Sequence, residues 1–211
     1  MAETLRCDDI TGLVLAGGRG ARMGGIDKGL QPFRGVPLAR HALQRLTPQV
    51  GSCLVNANRH LDQYAAFGVP VLPDSLADYA GPLAGFLCGL NHCATPWLLT
   101  VPCDTPLFPH DLARRLGQGA AAANAEIVFA AGAETDAQGL LRWRAQPVFC
   151  LMQTALAPSL QRYLADGGRK IDQWAHMHRC ISVAFDAPTD DPQAFANANT
   201  LEELHTLEYA R

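Results

Sequence analysis

Short apolar runs alternate with helically spaced segments along nearly the whole chain, and few folds accommodate that rhythm. Strand-like runs fall at residues 10–15, 53–55, 69–72, 97–101, 126–131, 145–151 and 181–185. Helix-like segments fall at 37–46, 60–67, 82–93, within 107–117, at 152–164 and at 171–176. A last helix is expected at 200–209, with Thr200 and Glu203 in capping-box spacing. The alanine-rich stretch 119–125 reads as a helix end plus loop. The alternation predicts an α/β protein: a mostly parallel sheet with helices on both faces. The 211 residues fit one such domain, and an apolar fraction of 48% is enough for its core.

Open sheets of this kind bind ligands beyond the carboxyl ends of their strands. The loop at 17–29, Asn56, Asp74 and Asp104 each follow a predicted strand, so one edge should carry them all. The loop is the most pointed of these features. The segment LAGGRGARMGGIDKGL at 15–30 sets six glycines around Arg19, Arg22 and Lys28. Glycine lets backbone N–H groups approach a ligand closely, and clustered N–H groups form anion-binding concavities. Two familiar phosphate loops do not match. A P-loop needs glycine before its lysine and a hydroxyl after it, whereas Lys28 lies between Asp27 and Gly29. A dinucleotide fingerprint fails at Met23, where its third glycine belongs. A mobile surface loop would not call for three cations among its glycines.

The same loop resembles the signature of nucleotidyltransferases that move NMP from an NTP, and most closely that of the molybdenum cofactor guanylyltransferase family. Other stretches match that family in order: VNANR at 55–59, PDSLADYAGPLAG at 73–85, VPCDTPLFP at 101–109, QPV at 146–148, GGRK at 167–170 and NANTLEEL at 197–204. One departure is Leu201, where proline is common in the family; it should affect helix initiation rather than chemistry. The resemblance implies a Rossmann-like nucleotidyltransferase fold with a mixed sheet over residues 1–211, the N-terminal half binding GTP and the C-terminal half the acceptor. It implies GMP transfer from GTP to the molybdenum–molybdopterin cofactor, giving the guanine dinucleotide and pyrophosphate. Molybdoenzyme apoproteins or their chaperones would be transient partners.

The acceptor is itself an anion, so the chemistry needs positioning and charge neutralisation more than a strong base. Asp104 ends an apolar strand before the rigid Thr105-Pro106 turn and is the expected Mg²⁺ ligand, although an aspartate there also suits a helix cap. Arg22 and Lys28 would bind the triphosphate and stabilise departing pyrophosphate. By resemblance, Leu15, Ala16, Gly17 and Gly18 offer backbone groups to the nucleotide, with Asn56 and Asp74 nearby. A carboxylate suits the N1–H and N2–H₂ donors of guanine, but Asp74 could instead meet ribose, and Asn56 could be a turn former. Arg169, Lys170, Asn197 and Asn199 are the expected acceptor-binding set; the asparagines could equally cap the last helix. Gly17-Gly18 and GPLAG at 81–85 favour GTP over CTP, again by resemblance. A cytidylyltransferase acting on the same pterin, a sugar-phosphate nucleotidyltransferase and a non-catalytic nucleotide-binding module are the competing readings.

Charge and cysteine usage narrow the setting. A net charge of −3 argues against a general nucleic-acid binder. No run approaches a membrane span, and the first ten residues show no apolar secretory core. Seven cysteines without a C-x-x-C pair suggest a reduced, cytoplasmic protein. Cys103 invites a nucleophile reading, but strand-end packing accounts for it without a base. His176, His178 and Cys180 alternate as metal ligands can, yet have no second cluster to match.

Overall fold

The fold was read from a computed structural model, which describes residues 5–18, 26–74, 81–135, 140–198 and 200–209. The strands are β1 (Ile10–Leu15), β2 (Pro32–Phe33), β3 (Val36–Pro37), β4 (Ser52–Asn56), β5 (Val71–Leu72), β6 (Trp97–Pro102), β7 (Ile127–Thr135), β8 (Leu141–Gln153) and β9 (Cys180–Ala184). The helices are α1 (Leu38–Leu46), α2 (Leu61–Ala65), α3 (Pro82–His92), α4 (Leu112–Ala123), α5 (Ala157–Ala165), α6 (Ile171–Ala175) and α7 (Leu201–Tyr209).

Seven strands form one sheet in the order β5-β4-β1-β6-β8-β7-β9. The pairs β5–β4, β4–β1, β1–β6 and β7–β9 are parallel, while β8 runs against both of its neighbours. The expected mixed, mostly parallel sheet is therefore present, with β8 as the reversed strand. Buried aliphatic and aromatic side chains cover both faces. Val14, Leu46, Val55, Leu99, Leu116 and Phe149 belong to one core cluster. Leu13, Phe86, Leu98, Met152, Leu160 and Trp174 belong to the other. Residues 13 and 14, and 98 and 99, fall on opposite sides, as the two-residue period of a strand requires. A small third cluster joins Phe33 and Leu38 to Leu204 and Leu207 of α7.

Several boundaries differ from expectation, each for a local reason. The segment expected as helix at 152–164 starts later: Met152 and Gln153 finish β8, and α5 opens at Ala157 with Pro158 in its first turn. Pro has no N–H to lose there. Strands β7 and β8 are longer than the apolar pattern indicated, because their outer parts hold small or charged residues such as Gly132, Glu134, Arg142 and Arg144, the last three exposed, and so lack an apolar signature. Pro147, which cannot donate to a ladder, lies where the register jumps from Phe129↔Cys150 to Ala130↔Gln146. Helix α4 runs on through the alanines to Ala123 and stops where Asn124 takes a left-handed conformation, φ 49°. The β2–β3 ribbon was not expected; Arg34 and Gly35, both at positive φ (51° and 76°), make the tight turn between its strands. Thr200 and Glu203 form the anticipated capping box, each donating its N–H to the other's side chain at 3.1 Å. Among the described residues no helix is long and apolar enough to cross a membrane.

Candidate active site

The sheet register assembles the site. Leu15, the last residue of β1, pairs with Asn56 on one side and Pro102 on the other, and Asn56 pairs with Leu72. Four carboxyl-terminal strand ends therefore stand in one row. Three interstrand spacings span roughly 14 Å, a scale suited to an extended nucleoside triphosphate. Asp74 follows the row at the β5 end and Asp104 follows it at the β6 end, so the strand-exit rule gathers both on the expected edge.

At the β6 end, Lys28 Nζ donates to Asp104 Oδ2 at 3.1 Å, with each side chain about one-fifth exposed (21% for both). The turn after β6 holds the carboxylate. Cys103 N–H donates to the Leu15 carbonyl at 3.1 Å, and Ala198 N–H donates to the Asp104 carbonyl at 2.8 Å. Thr105, fully buried, donates its hydroxyl to Asn197 Oδ1 at 2.5 Å. Asn197 therefore lies one residue from Asp104 in contact terms, although 93 residues separate the two in sequence. With its Oδ1 engaged, the Asn197 amide has its NH₂ left to donate. The Cys103 thiol is buried, and burial, reinforced by the Asp104 charge, pushes its pKa up. It remains a protonated packing group, as the sequence reading favoured over a nucleophile.

At the β5 end, the VNANR segment builds a polar clamp. Asn56, buried in the sheet edge, donates to the Leu72 carbonyl at 3.0 Å and to Asp74 Oδ1 at 2.8 Å. Asn58 donates to Asp74 Oδ2 at 2.7 Å and accepts from the Asp74 backbone N–H at 2.8 Å. Asn56 is thus no simple turn former; with Asn58 it fixes the direction of a carboxylate. The same segment holds the start of the glycine loop. Asn58 also donates to the Gly17 carbonyl at 3.3 Å, and Arg59 donates to the Gly18 carbonyl at 3.2 Å. A Cβ on Gly17 would stand 2.9 Å from Asn58 Nδ2 and 3.0 Å from Asn56 Oδ1, so only glycine lets the loop pass this close to the amides. Two backbone groups assigned to the nucleotide already have partners: the Leu15 carbonyl receives Cys103 N–H, and Ala16 N–H reaches the Asn56 carbonyl at 2.8 Å.

The remaining expected residues divide. Arg22 and Asn199 lie outside the described residues. Arg169 donates to the Leu164 and Gly168 carbonyls at 3.1 and 2.6 Å, closing the end of α5. Lys170 is the residue before α6, and its carbonyl accepts from Tyr163 at 3.0 Å. Because β8 runs opposite to β6, the chain leaves β8 beside the start of β6, at the edge opposite the row of strand ends, and the contacts of Arg169 and Lys170 lie within the α5–α6 connection. His178 contacts Ser159 at 2.9 Å and packs edge-on against Trp174, and His176 contacts the Asp172 carbonyl, so these histidines serve the α5–α6 packing. Among the described residues no three His, Cys, Asp or Glu side chains are placed to hold a metal ion. Sequence reasoning missed Asn58, Arg59, Thr105, Asp27 and Tyr64. The alternation of Asn56 with Asn58, which puts both side chains on one side of an extended segment, was the available signal for the first.

Comparison with known proteins gives the family. The family model for the MobA-like NTP transferase domain matches residues 12–180. The molybdenum cofactor guanylyltransferase of Acidovorax ebreus (strain TPSY) is 66% identical over 201 residues, covering 95% of each chain. That of Albidiferax ferrireducens is 58% identical over 202 residues, covering 95% of this chain and 96% of its own. Among solved structures, the molybdopterin-guanine dinucleotide biosynthesis protein A of Archaeoglobus fulgidus matches with a TM-score of 0.73 at 20% identity, over 95% of this chain and 97% of its own. The 4-diphosphocytidyl-2C-methyl-D-erythritol synthase of Anaerococcus prevotii matches at 0.72 with 11% identity, over 97% and 99%. The two structural likenesses establish a fold shared by nucleotidyltransferases, and the sequence relatives go further. The chain belongs to the molybdenum cofactor guanylyltransferase family of MobA-like NTP transferases.

Proposed function

We propose that this chain transfers GMP from GTP to the molybdenum–molybdopterin cofactor, releasing pyrophosphate and forming the guanine dinucleotide. An oxygen of the pterin's terminal phosphate attacks the α-phosphorus of GTP. The bond from that phosphorus to the bridging oxygen breaks, and pyrophosphate leaves with the electron pair. The observation that carries this reading is the Lys28–Asp104 pair at the β6 end of the strand-end row, 3.1 Å apart with both side chains partly exposed. A cation meant for phosphate oxygens and a carboxylate meant for a hard cation stand side by side.

Each half of the row has a task. Lys28, with Arg22, neutralises the triphosphate and the charge that gathers on pyrophosphate. Asp74, clamped by Asn56 and Asn58, meets the donors of the nucleoside, while Gly17 and Gly18 let the loop backbone lie close. Asn197 presents its NH₂ to the acceptor, with Arg169, Lys170 and Asn199 completing the anion-binding side. Mg²⁺ would be held by Asp104: a single carboxylate leaves phosphate and water oxygens to complete the shell, which is the ordinary Mg²⁺ arrangement. When bound there it supplies further neutralisation of the phosphate oxygens. The seven free thiols suit a reducing, cytoplasmic setting, where molybdoenzyme apoproteins or their chaperones would receive the product.

The test is a product assay with molybdenum–molybdopterin, Mg²⁺ and each of GTP, CTP, ATP and UTP. GTP should give the guanine dinucleotide with stoichiometric pyrophosphate. A preference for CTP would overturn the base assignment, and pyrophosphate release without dinucleotide would overturn the acceptor. Chelation of Mg²⁺ should stop turnover; undiminished activity would remove the metal from the proposal.

A further inference from the structure

Behind the Lys28–Asp104 pair lies a second carboxylate that the reaction as described does not use. Asp27 is the one acidic residue among the described buried side chains. A buried carboxylate is costly unless hydrogen-bonded, and this one is well supplied. Its Oδ1 accepts from the Tyr64 hydroxyl at 2.6 Å and from Gly29 N–H at 3.2 Å. Its backbone carbonyl accepts from Leu30 N–H at 3.3 Å and from Gln31 Nε2 at 3.2 Å. The single turn Lys28–Leu30 is thereby held at its start by side chain and main chain together. Tyr64 comes from α2, an element separate from the loop, and is fully buried. Burial and the hydrogen bond to Asp27 push the phenol's pKa up, so it stays a donor. Gly29 has no room for a side chain, because a Cβ would run into the Tyr64 hydroxyl.

A cap for a three-residue turn needs only an exposed Asp or Ser. It needs neither a buried carboxylate nor a phenol delivered from another helix. What the arrangement accomplishes is to fix the backbone of the residue whose ammonium reaches Asp104. We propose that Asp27 and Tyr64 are a positioning pair that aims Lys28 at the triphosphate. The inference rests on Lys28 being a triphosphate ligand.

The test is a double-mutant cycle between Tyr64→Phe and Lys28→Ala, read as the equilibrium affinity for GTP so that no turnover is needed, with thermal midpoints recorded for every variant. A charge-assisted hydrogen bond of this kind is worth enough to weaken GTP binding about tenfold in Tyr64→Phe. In the Lys28→Ala background the same substitution should change affinity less than about twofold, because the residue it positions is gone. Asp27→Asn keeps an acceptor oxygen and should retain most of the affinity that Asp27→Ala loses. Two results overturn the proposal: effects of Tyr64→Phe and Lys28→Ala that multiply, or a Tyr64→Phe variant with a lowered midpoint and unchanged GTP affinity. If the wild-type chain uses another nucleotide, the base assignment fails on its own, and the cycle is read with that nucleotide.

Discussion

Helix α3 carries two glycines four residues apart, and they separate stability from function. A Cβ on Gly89 would stand 2.6 Å from Leu13 Cδ2 and 2.9 Å from Leu98 Cδ2. A Cβ on Gly85 would stand 2.5 Å from Leu15 Cδ2 and 2.6 Å from Asn56 Oδ1. Both positions lie on the face of α3 that packs on the sheet, so Gly→Ala at either one overpacks a close contact at about 1–3 kcal/mol. For a chain of this size that lowers the thermal midpoint by about 2–10 °C. The consequences diverge at the site. Relief at position 89 moves only leucine side chains. Relief at position 85 displaces the Asn56 carboxamide, whose NH₂ holds both the Leu72 carbonyl and Asp74. Losing one of these buried hydrogen bonds costs a further ~1–3 kcal/mol and leaves the Asp74 carboxylate misdirected. Gly85→Ala should therefore raise the KM for GTP by about tenfold or more, and Gly89→Ala should leave it within about twofold. Differential scanning calorimetry and steady-state pyrophosphate release on the two variants settle the matter. Equal GTP kinetics in both, with comparable midpoints, would refute the view that Asn56 sets the nucleoside end of the site.

Asp104→Ala should abolish Mg²⁺-dependent pyrophosphate release while moving the thermal midpoint little, because a partly exposed pair contributes only about 0–1 kcal/mol; persistent turnover would remove Asp104 from the chemistry. Thr105→Val keeps the shape of the buried side chain but releases the Asn197 amide, so the KM for the pterin should rise several-fold while that for GTP holds; equal effects on both would make Thr105 a packing residue only. Burial raises the thiols of Cys53, Cys88, Cys103 and Cys150, and takes Cys180 up to about 11 from an ordinary 9.0. For Cys180 the folded state keeps its proton between pH 9 and 11 while the unfolded state releases it, so stability falls as pH rises through that window. Urea midpoints should accordingly drop between pH 9 and pH 11, and a Cys180→Ser variant should show a smaller drop; a flat profile would contradict the burial of these thiols.

Backbone topology was legible in the sequence because it follows from periodicity. The runs at 10–15 and 97–101 announce their strands, and the strand-exit rule then delivers Asn56, Asp74 and Asp104 to one edge without knowledge of any contact. The β2–β3 ribbon and the outer halves of β7 and β8 escaped because two-residue and solvent-facing strands have too few apolar positions to set a period. The site shows the same division. Residue types at strand exits could be named in advance, but which side chain holds which could not, because those pairings cross 16 to 92 positions of sequence: Asn56 and Asn58 with Asp74, Tyr64 with Asp27, Thr105 with Asn197. The last of these carries the most meaning. A segment that returns from β9 places Ala198 on the Asp104 carbonyl and Asn197 on the Thr105 hydroxyl, so two successive residues of the segment proposed to meet the acceptor touch two successive residues of the turn proposed to hold the metal. A shift of that segment must move the Asp104 turn with it. Under the proposed roles, the residues assigned to the donor and those assigned to the acceptor are thus tied together at this turn by two hydrogen bonds.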